Sequence, residues 1–232
     1  MRRPITRPHW HYPRNALIYP RQVQKGARVA IHLYQNDLPD GLDLGDSVAV
    51  DTETMGLDPR RDRLCLVQLS KGDGNAHLVQ IANGQKSAPN LERLMADPKV
   101  VKVFHFGRFD IAALFNAFGV VTAPVFCTKI ASKMVRTFTD RQGLKNLVQE
   151  CAGLDISKQQ QTSDWGAAKL TQAQLDYAAS DVYYLHKIKA NLEARLAREG
   201  RTELAQACFD FLPARAQLDL LGWGEPNDIF HH

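Results

Sequence analysis

No apolar run in the chain approaches the roughly 20 residues that cross a bilayer, which excludes a membrane-spanning helix. Cysteine is scarce. Cys65, Cys127, Cys151 and Cys208 sit in apolar patterns without metal-ligand spacing, so they exclude a zinc ribbon and read as reduced core residues of a cytoplasmic protein. No internal repeat and no low-complexity linker divides the chain. Its 232 residues, 44% hydrophobic and 23% charged, therefore read as one sizeable globular domain and not as a disordered polymer. The opening Met1-Arg-Arg-Pro-Ile-Thr-Arg-Pro8 is basic but no apolar core follows it, so it does not read as a secretory signal.

Acid is missing from residues 1–28, which hold seven Arg or Lys and four prolines without periodicity. That stretch is expected to be a flexible basic extension. Setting it aside leaves 22 basic and 25 acidic side chains in residues 29–232, a net charge of −3 against +4 for the whole chain. The basic balance thus belongs to the extension and argues nothing about nucleic-acid binding by the domain.

What is present begins with apolar segments of strand length. Val29–Tyr34, Ser47–Val50, Arg63–Leu69, His77–Ile81, Val100–Phe104 and Val125–Cys127 read as strands, the third and fourth joined by a turn at Gly72–Asn75. Helical periodicity covers Pro89–Met95, Phe109–Phe118 and then 128–136, 144–151, 172–199 and 202–221, the last interrupted at Pro213. Strands followed by helices predict one α/β domain over residues 29–232.

Asp51 and Glu53 end the apolar strand Val48-Ala-Val-Asp-Thr-Glu53 and, two residues apart, share a face of the extended backbone. Neighbouring carboxylates repel and raise each other's pKa unless a cation lies between them, and their oxygens suit magnesium or manganese. Asp110 opens the helix after Phe104, where an acid also favours the helix dipole. Tyr177 and Asp181 are four residues apart on the helix that Thr171 and Gln174 start with a capping box, so they stack on one side of it.

Together, Asp51, Glu53, Asp110 and Tyr177-x-x-x-Asp181 resemble the three motifs of the DEDD 3′–5′ exonucleases, in the DEDDy branch of the ribonuclease D-like superfamily. The segments Asp62–Ser70, Phe104-His-Phe-Gly-Arg-Phe-Asp110, Thr128–Lys133, Ile156–Gln161, Thr162-Ser-Asp-Trp165 and Leu212–Trp223 are most similar to the NrnC (nano-RNase C) group.

The resemblance implies a ribonuclease H-like mixed sheet flanked by helices. It also implies two divalent ions, Mg²⁺ or Mn²⁺, held by Asp51, Glu53, Asp110 and Asp181, with Tyr177 positioning the attacking water. The implied activity is 3′–5′ hydrolysis of short oligoribonucleotides, dinucleotides above all, by a cytoplasmic homo-oligomer, an octamer in that group. The 51 residues after Asp181 read as too few for the RNA-binding domains of ribonuclease D proper. Met55, Leu57, His105 and Phe106 are candidates to line a base pocket. Lys133, Arg136, Lys158 and Gln159, within a basic stretch that also holds Lys129 and Arg141, are candidates to hold a 5′ phosphate. The competing expectations are a ribonuclease D-like trimmer of longer RNA, a DNA 3′–5′ exonuclease, and an inactive nucleic-acid-binding scaffold.

Overall fold

The computed structural model describes residues 17–21, 29–157 and 159–231. Its strands are β1 (Leu17–Arg21), β2 (Val29–Gln35), β3 (Ser47–Thr54), β4 (Leu64–Ser70), β5 (Ala76–Gln80), β6 (Val101–Phe104) and β7 (Val125–Cys127). Its helices are α1 (Pro89–Ala96), α2 (Arg108–Phe118), α3 (Thr128–Val135), α4 (Leu144–Ala152), α5 (Gln172–Tyr183), α6 (Leu185–Arg198) and α7 (Thr202–Leu220).

The strands form one mixed sheet in the order β1-β2-β5-β4-β3-β6-β7. The β3-β4-β5 meander is antiparallel, because short turns can only reverse the chain, while β6 and β7 run parallel to β3 through helical crossovers. Val48, Ala49 and Val50 are fully buried and every residue of β4 is buried, which makes β3 and β4 the rigid centre of the sheet. Because β3 and β6 are parallel, their carboxyl ends lie at one sheet edge, the edge where open α/β sheets bind ligands.

Three features differ from the sequence expectation. Within the stretch expected to be an extension, Leu17–Arg21 pairs antiparallel with β2; a proline in that run is compatible with an edge strand, and the rest of residues 1–28 lies outside the described residues. The single helix expected over 172–199 is two helices meeting at Tyr184, since α5 packs on β3, β4 and β5 whereas α6 turns to pack on α3 and α4. Pro213 does not interrupt α7, where the buried Phe209, Leu212 and Ala216 around it hold the helix together despite the lost hydrogen bond.

Lys102, in the middle of the apolar strand β6, is wholly buried. Its ammonium donates to the carbonyls of Asp97 (2.8 Å), Val100 (2.7 Å) and Ala123 (2.5 Å). Three backbone acceptors replace its hydration shell and tie the start of β6 to the segment before β7.

Candidate active site

The end of β3 is shaped by a register shift. Glu53 faces Leu66 but Thr54 faces Leu64, and a bulge at this point re-aims the side chains at the strand end. Carboxylate oxygens of Asp51, Glu53 and Asp181 lie within 4.8 Å of one another. Asp51 and Glu53 come from β3, and Asp181 comes from α5, which packs across β3, β4 and β5. Ala178 and Ala179, fully buried, allow that close approach. Thr171 accepts from the Gln174 amide while the Gln174 side chain accepts from the Thr171 amide, which fixes the start of the helix.

Asp110 arrives from α2. The turn between β6 and α2 is tight: Phe106 has φ 71°, a left-handed conformation uncommon for a non-glycine residue, and a Cβ on Gly107 would meet Phe104 Cβ at 2.6 Å. This turn starts α2 directly at the sheet edge. Asp110 is buried there, and Thr52 Oγ1 donates to its Oδ1 at 2.7 Å.

The electrostatics follow from crowding. Burial, then the charges of Asp110, Asp181 and Glu53, hold the Asp51 carboxyl well above the usual carboxylate range. Glu53 is pushed up to about 9 by burial, then by Asp181 and Asp110. Asp110 rises to about 7 through burial, opposed by its hydrogen bond from Thr52. Without a cation, this group of carboxylates does not all ionise at neutral pH. Hard oxygen donors in that state fit a divalent ion such as Mg²⁺ or Mn²⁺.

Tyr177 stands one turn before Asp181, its ring 6.0 Å from the buried Trp165 ring. Burial, then the Asp181, Glu53 and Asp51 charges, raise its phenol further above the ordinary value of 10, so it remains protonated at neutral pH.

Gln68 was not singled out in the sequence. It lies directly across from Asp51 in the antiparallel register, wholly buried, and its Nε2 donates to Asp51 Oδ2 at 3.0 Å and lies 3.5 Å from Glu53 Oε1. Its Oε1 has no hydrogen-bond partner among the described residues, so there the two carboxylates orient the amide. The available signal was a polar residue inside the otherwise apolar run Leu64-Cys-Leu-Val-Gln-Leu69. Gln68→Met keeps the volume and removes the donor; it is expected to weaken Mn²⁺ binding about 10–100-fold in calorimetry, as loss of a ligand-orienting hydrogen bond does. An unchanged dissociation constant would assign Gln68 to packing alone.

The remaining expected residues divide. Leu57 and Phe106 are exposed and line one open cavity with Arg108 and the segment after α7, and Lys129 Nζ sits 3.8 Å above the Phe106 ring. Met55 is exposed and packs its sulfur over Gly166, where a Cβ would come within 2.4 Å of it. His105 Nδ1 lies 2.9 Å from Thr128 Oγ1, and that hydroxyl donates to the Phe104 carbonyl at 3.0 Å, so Nδ1 is the donor in the pair. Lys133 and Gln159 are exposed, and Lys158 lies outside the described residues.

Arg136 does not fit the phosphate role expected of it. It is 4% exposed, its guanidinium bound to Glu150 at 2.8 Å, to Ser132 Oγ, to Gln142 Oε1 and to the Arg141 carbonyl. Its donors tie α3 to α4. The sequence showed a basic stretch but not that a carboxylate from the next helix neutralises this member of it.

Residues 34–197 match the 3′–5′ exonuclease family. The chain is 44% identical over 156 residues to a ribonuclease D of Acidiphilium cryptum, an alignment that covers 67% of this chain and 39% of that protein. It spans about two fifths of the length of the curated relatives that it matches. Brucella melitensis NrnC with bound Mg²⁺ is 58% identical with a TM-score of 0.83, and NrnC bound to pGG is 59% identical with a TM-score of 0.84. Each superposition covers 87% of this chain and 98% of the NrnC chain. Escherichia coli RNase D follows at 28% identity and a TM-score of 0.66, over 74% of this chain and 45% of that one.

Proposed function

Because the chain belongs to the 3′–5′ exonuclease family, together with the NrnC proteins, we propose that it is a divalent-metal-dependent exoribonuclease that hydrolyses short oligoribonucleotides, with dinucleotides its preferred substrates. The observation that carries this reading is the convergence of Asp51, Glu53 and Asp181 within 4.8 Å, with Asp110 and Tyr177 beside them. The short-substrate part draws support from the 59% identity to NrnC bound to pGG, over 98% of that chain.

Asp51, Glu53, Asp110 and Asp181 would hold two divalent ions, Mg²⁺ or Mn²⁺. When bound, such ions neutralise charge on the phosphodiester, ease deprotonation of the attacking water and stabilise the departing 3′ oxygen. The chain's own groups do the rest. Gln68 and Thr52 fix carboxylate orientation from the inner side, leaving the other oxygens to face the substrate. The protonated Tyr177 hydroxyl donates or accepts a hydrogen bond to the attacking water and aligns it, without serving as the base. Leu57 and Phe106 offer apolar surface to a base. Lys129 and Lys133 replace Arg136 as candidates for a terminal phosphate. Burial and the nearby Lys133 charge both depress the Lys129 pKa, and an anion between the two lysines relieves that repulsion.

Exposed Leu204 and Phe211 on α7 suit a homo-oligomer, an octamer by analogy with the NrnC group. The test of function supplies 5′-labelled RNAs of two to seven nucleotides, and matching DNA, with Mg²⁺ or Mn²⁺. Rapid loss of the dinucleotide with slow attack on longer chains is the expected result. Efficient ladders from the longest RNA would replace this reading with 3′-end trimming, preference for the DNA with a DNA exonuclease, and absence of any metal-dependent cleavage with a binding scaffold.

A further inference from the structure

Residues 163–167, between α4 and α5, hold none of the four converging carboxylates, yet three side chains fasten this segment to the elements that do the converging. Gln174 spends its oxygen on the capping box of α5 and its nitrogen here, donating to the Asp164 carbonyl at 2.9 Å and to Ser163 Oγ at 3.2 Å. Arg63, just before β4, donates to the Gly166 carbonyl at 3.3 Å. Gln80, at the end of β5, donates to the Ala167 carbonyl at 2.8 Å. The segment thus ties the first turn of α5 to β4 and β5, and a side chain carried on it is fixed relative to both.

That side chain is Trp165. It is 3% exposed, and its ring lies 6.0 Å from the Tyr177 ring with the planes 40° apart, within the range of about 4.5–7 Å at which aromatic pairs attract. Its buried Nε1–H has no hydrogen-bond partner among the described residues. A buried indole ordinarily finds an acceptor, so this one is placed by contact and not by a hydrogen bond. What it offers is an aromatic surface, and Tyr177 lies against it.

Tyr177 needs such a support. It stands one turn before Asp181, and its hydroxyl hydrogen-bonds to the Asp181 side chain. A bond at the tip of the ring leaves the other staggered χ1 wells open, and each of them carries the hydroxyl away from Asp181. A second ring packed against the first removes that freedom.

We propose that Trp165 is a positioning residue for the hydrolysis: its indole braces the Tyr177 ring, so that the hydroxyl stays turned towards Asp181 and the attacking water. The proposal rests on the role given to Tyr177 above. It is tested by measuring kcat and KM on a diribonucleotide for Trp165→Leu, Trp165→Phe, Tyr177→Phe and the double variant Trp165→Leu/Tyr177→Phe. Calorimetric Mn²⁺ affinity reports in each whether the carboxylates are disturbed.

Trp165→Leu is expected to lower kcat about 10–100-fold while KM stays within about threefold and the Mn²⁺ dissociation constant is unchanged. Trp165→Phe, which keeps an aromatic face and drops the N–H, is expected to recover most of that loss. In the Tyr177→Phe background the leucine should cost less than about a further twofold, because residues that act as one unit are not additive.

An unchanged kcat in Trp165→Leu overturns the proposal, and so does an equal loss in both backgrounds, which would make Trp165 independent of Tyr177. Mn²⁺ affinity lost in step with kcat also overturns it, since the indole would then support the carboxylates themselves. Should the leucine variant not fold, Gln80→Met decides, because it unties the segment at Ala167 and leaves the indole intact. A loss of kcat that disappears in the Tyr177→Phe background is expected, and no loss or the same loss in both overturns the proposal. Full kcat in Tyr177→Phe would show that the reading beneath the proposal has failed, and that is seen before Trp165 is changed.

Discussion

Asparagine in place of Asp51 is expected to lower kcat/KM on the order of 10³-fold, comparable with removing a preorganised charge-stabilising group from an active site. Asp51 lies among the charges of Asp110, Asp181 and Glu53, so it is the acid that most of the site is arranged around. The substitution preserves shape and removes one anionic ligand. The same change should make the metal-free protein more stable, because it relieves repulsion among buried carboxylates. A gain of about 1 kcal/mol would raise Tm about 2–4 °C in a domain of 150–250 residues. Activity lost together with Tm would point instead to a damaged fold. Retained turnover in a nuclease-free preparation would remove Asp51 from the mechanism.

Stabilisation by Mg²⁺ or Mn²⁺ is the second large effect expected, and it should grow with pH. Glu53 has its pKa raised from 4.5 to about 9 in the folded metal-free chain, and Asp110 from 3.8 to about 7. The folded state therefore binds more protons than the unfolded state across that interval. The contribution of these groups is present in full below the unfolded values and is lost progressively as the pH rises towards the folded ones. Protons and metal compete for the same oxygens, so the metal restores most where the protons have left. The buried His32 and His77, whose pKa values burial lowers, and Lys102, lowered to about 8, also make stability pH-dependent. Their effect is common to metal-free and metal-loaded protein, so the Tm difference between the two isolates the carboxylates. At a metal concentration 100 times Kd the stabilisation is about 2.7 kcal/mol. That difference should widen from pH 6 to pH 8.5 in thermal unfolding with and without metal. A difference independent of pH would show that the metal binds elsewhere.

The strand pattern and the acids were legible because both rest on local spacing. Val48–Val50 announces a buried strand, the two-residue step places Asp51 and Glu53 together, and the four-residue step places Tyr177 with Asp181. Asp110 required tertiary information, since only the parallel pairing of β6 with β3 carries it to the same edge. Cross-chain partnerships were not legible in the same way. Gln68 supports Asp51 through strand register, and Arg136 is neutralised by Glu150 from another helix. A buried lysine satisfied by three carbonyls leaves no trace in the sequence around Lys102. The helix break at Tyr184 and the continuity of α7 through Pro213 were decided by what each segment packs against, which outweighed local propensity.

The central claim is that these four carboxylates form a two-ion site for phosphodiester hydrolysis. An anomalous difference map from crystals grown with Mn²⁺ tests it most directly. The expected map has two peaks about 3.5–4 Å apart, in contact with Asp51, Glu53, Asp110 and Asp181. A map with no peak among these residues, from crystals of protein that cleaves RNA in the same Mn²⁺ buffer, would contradict it.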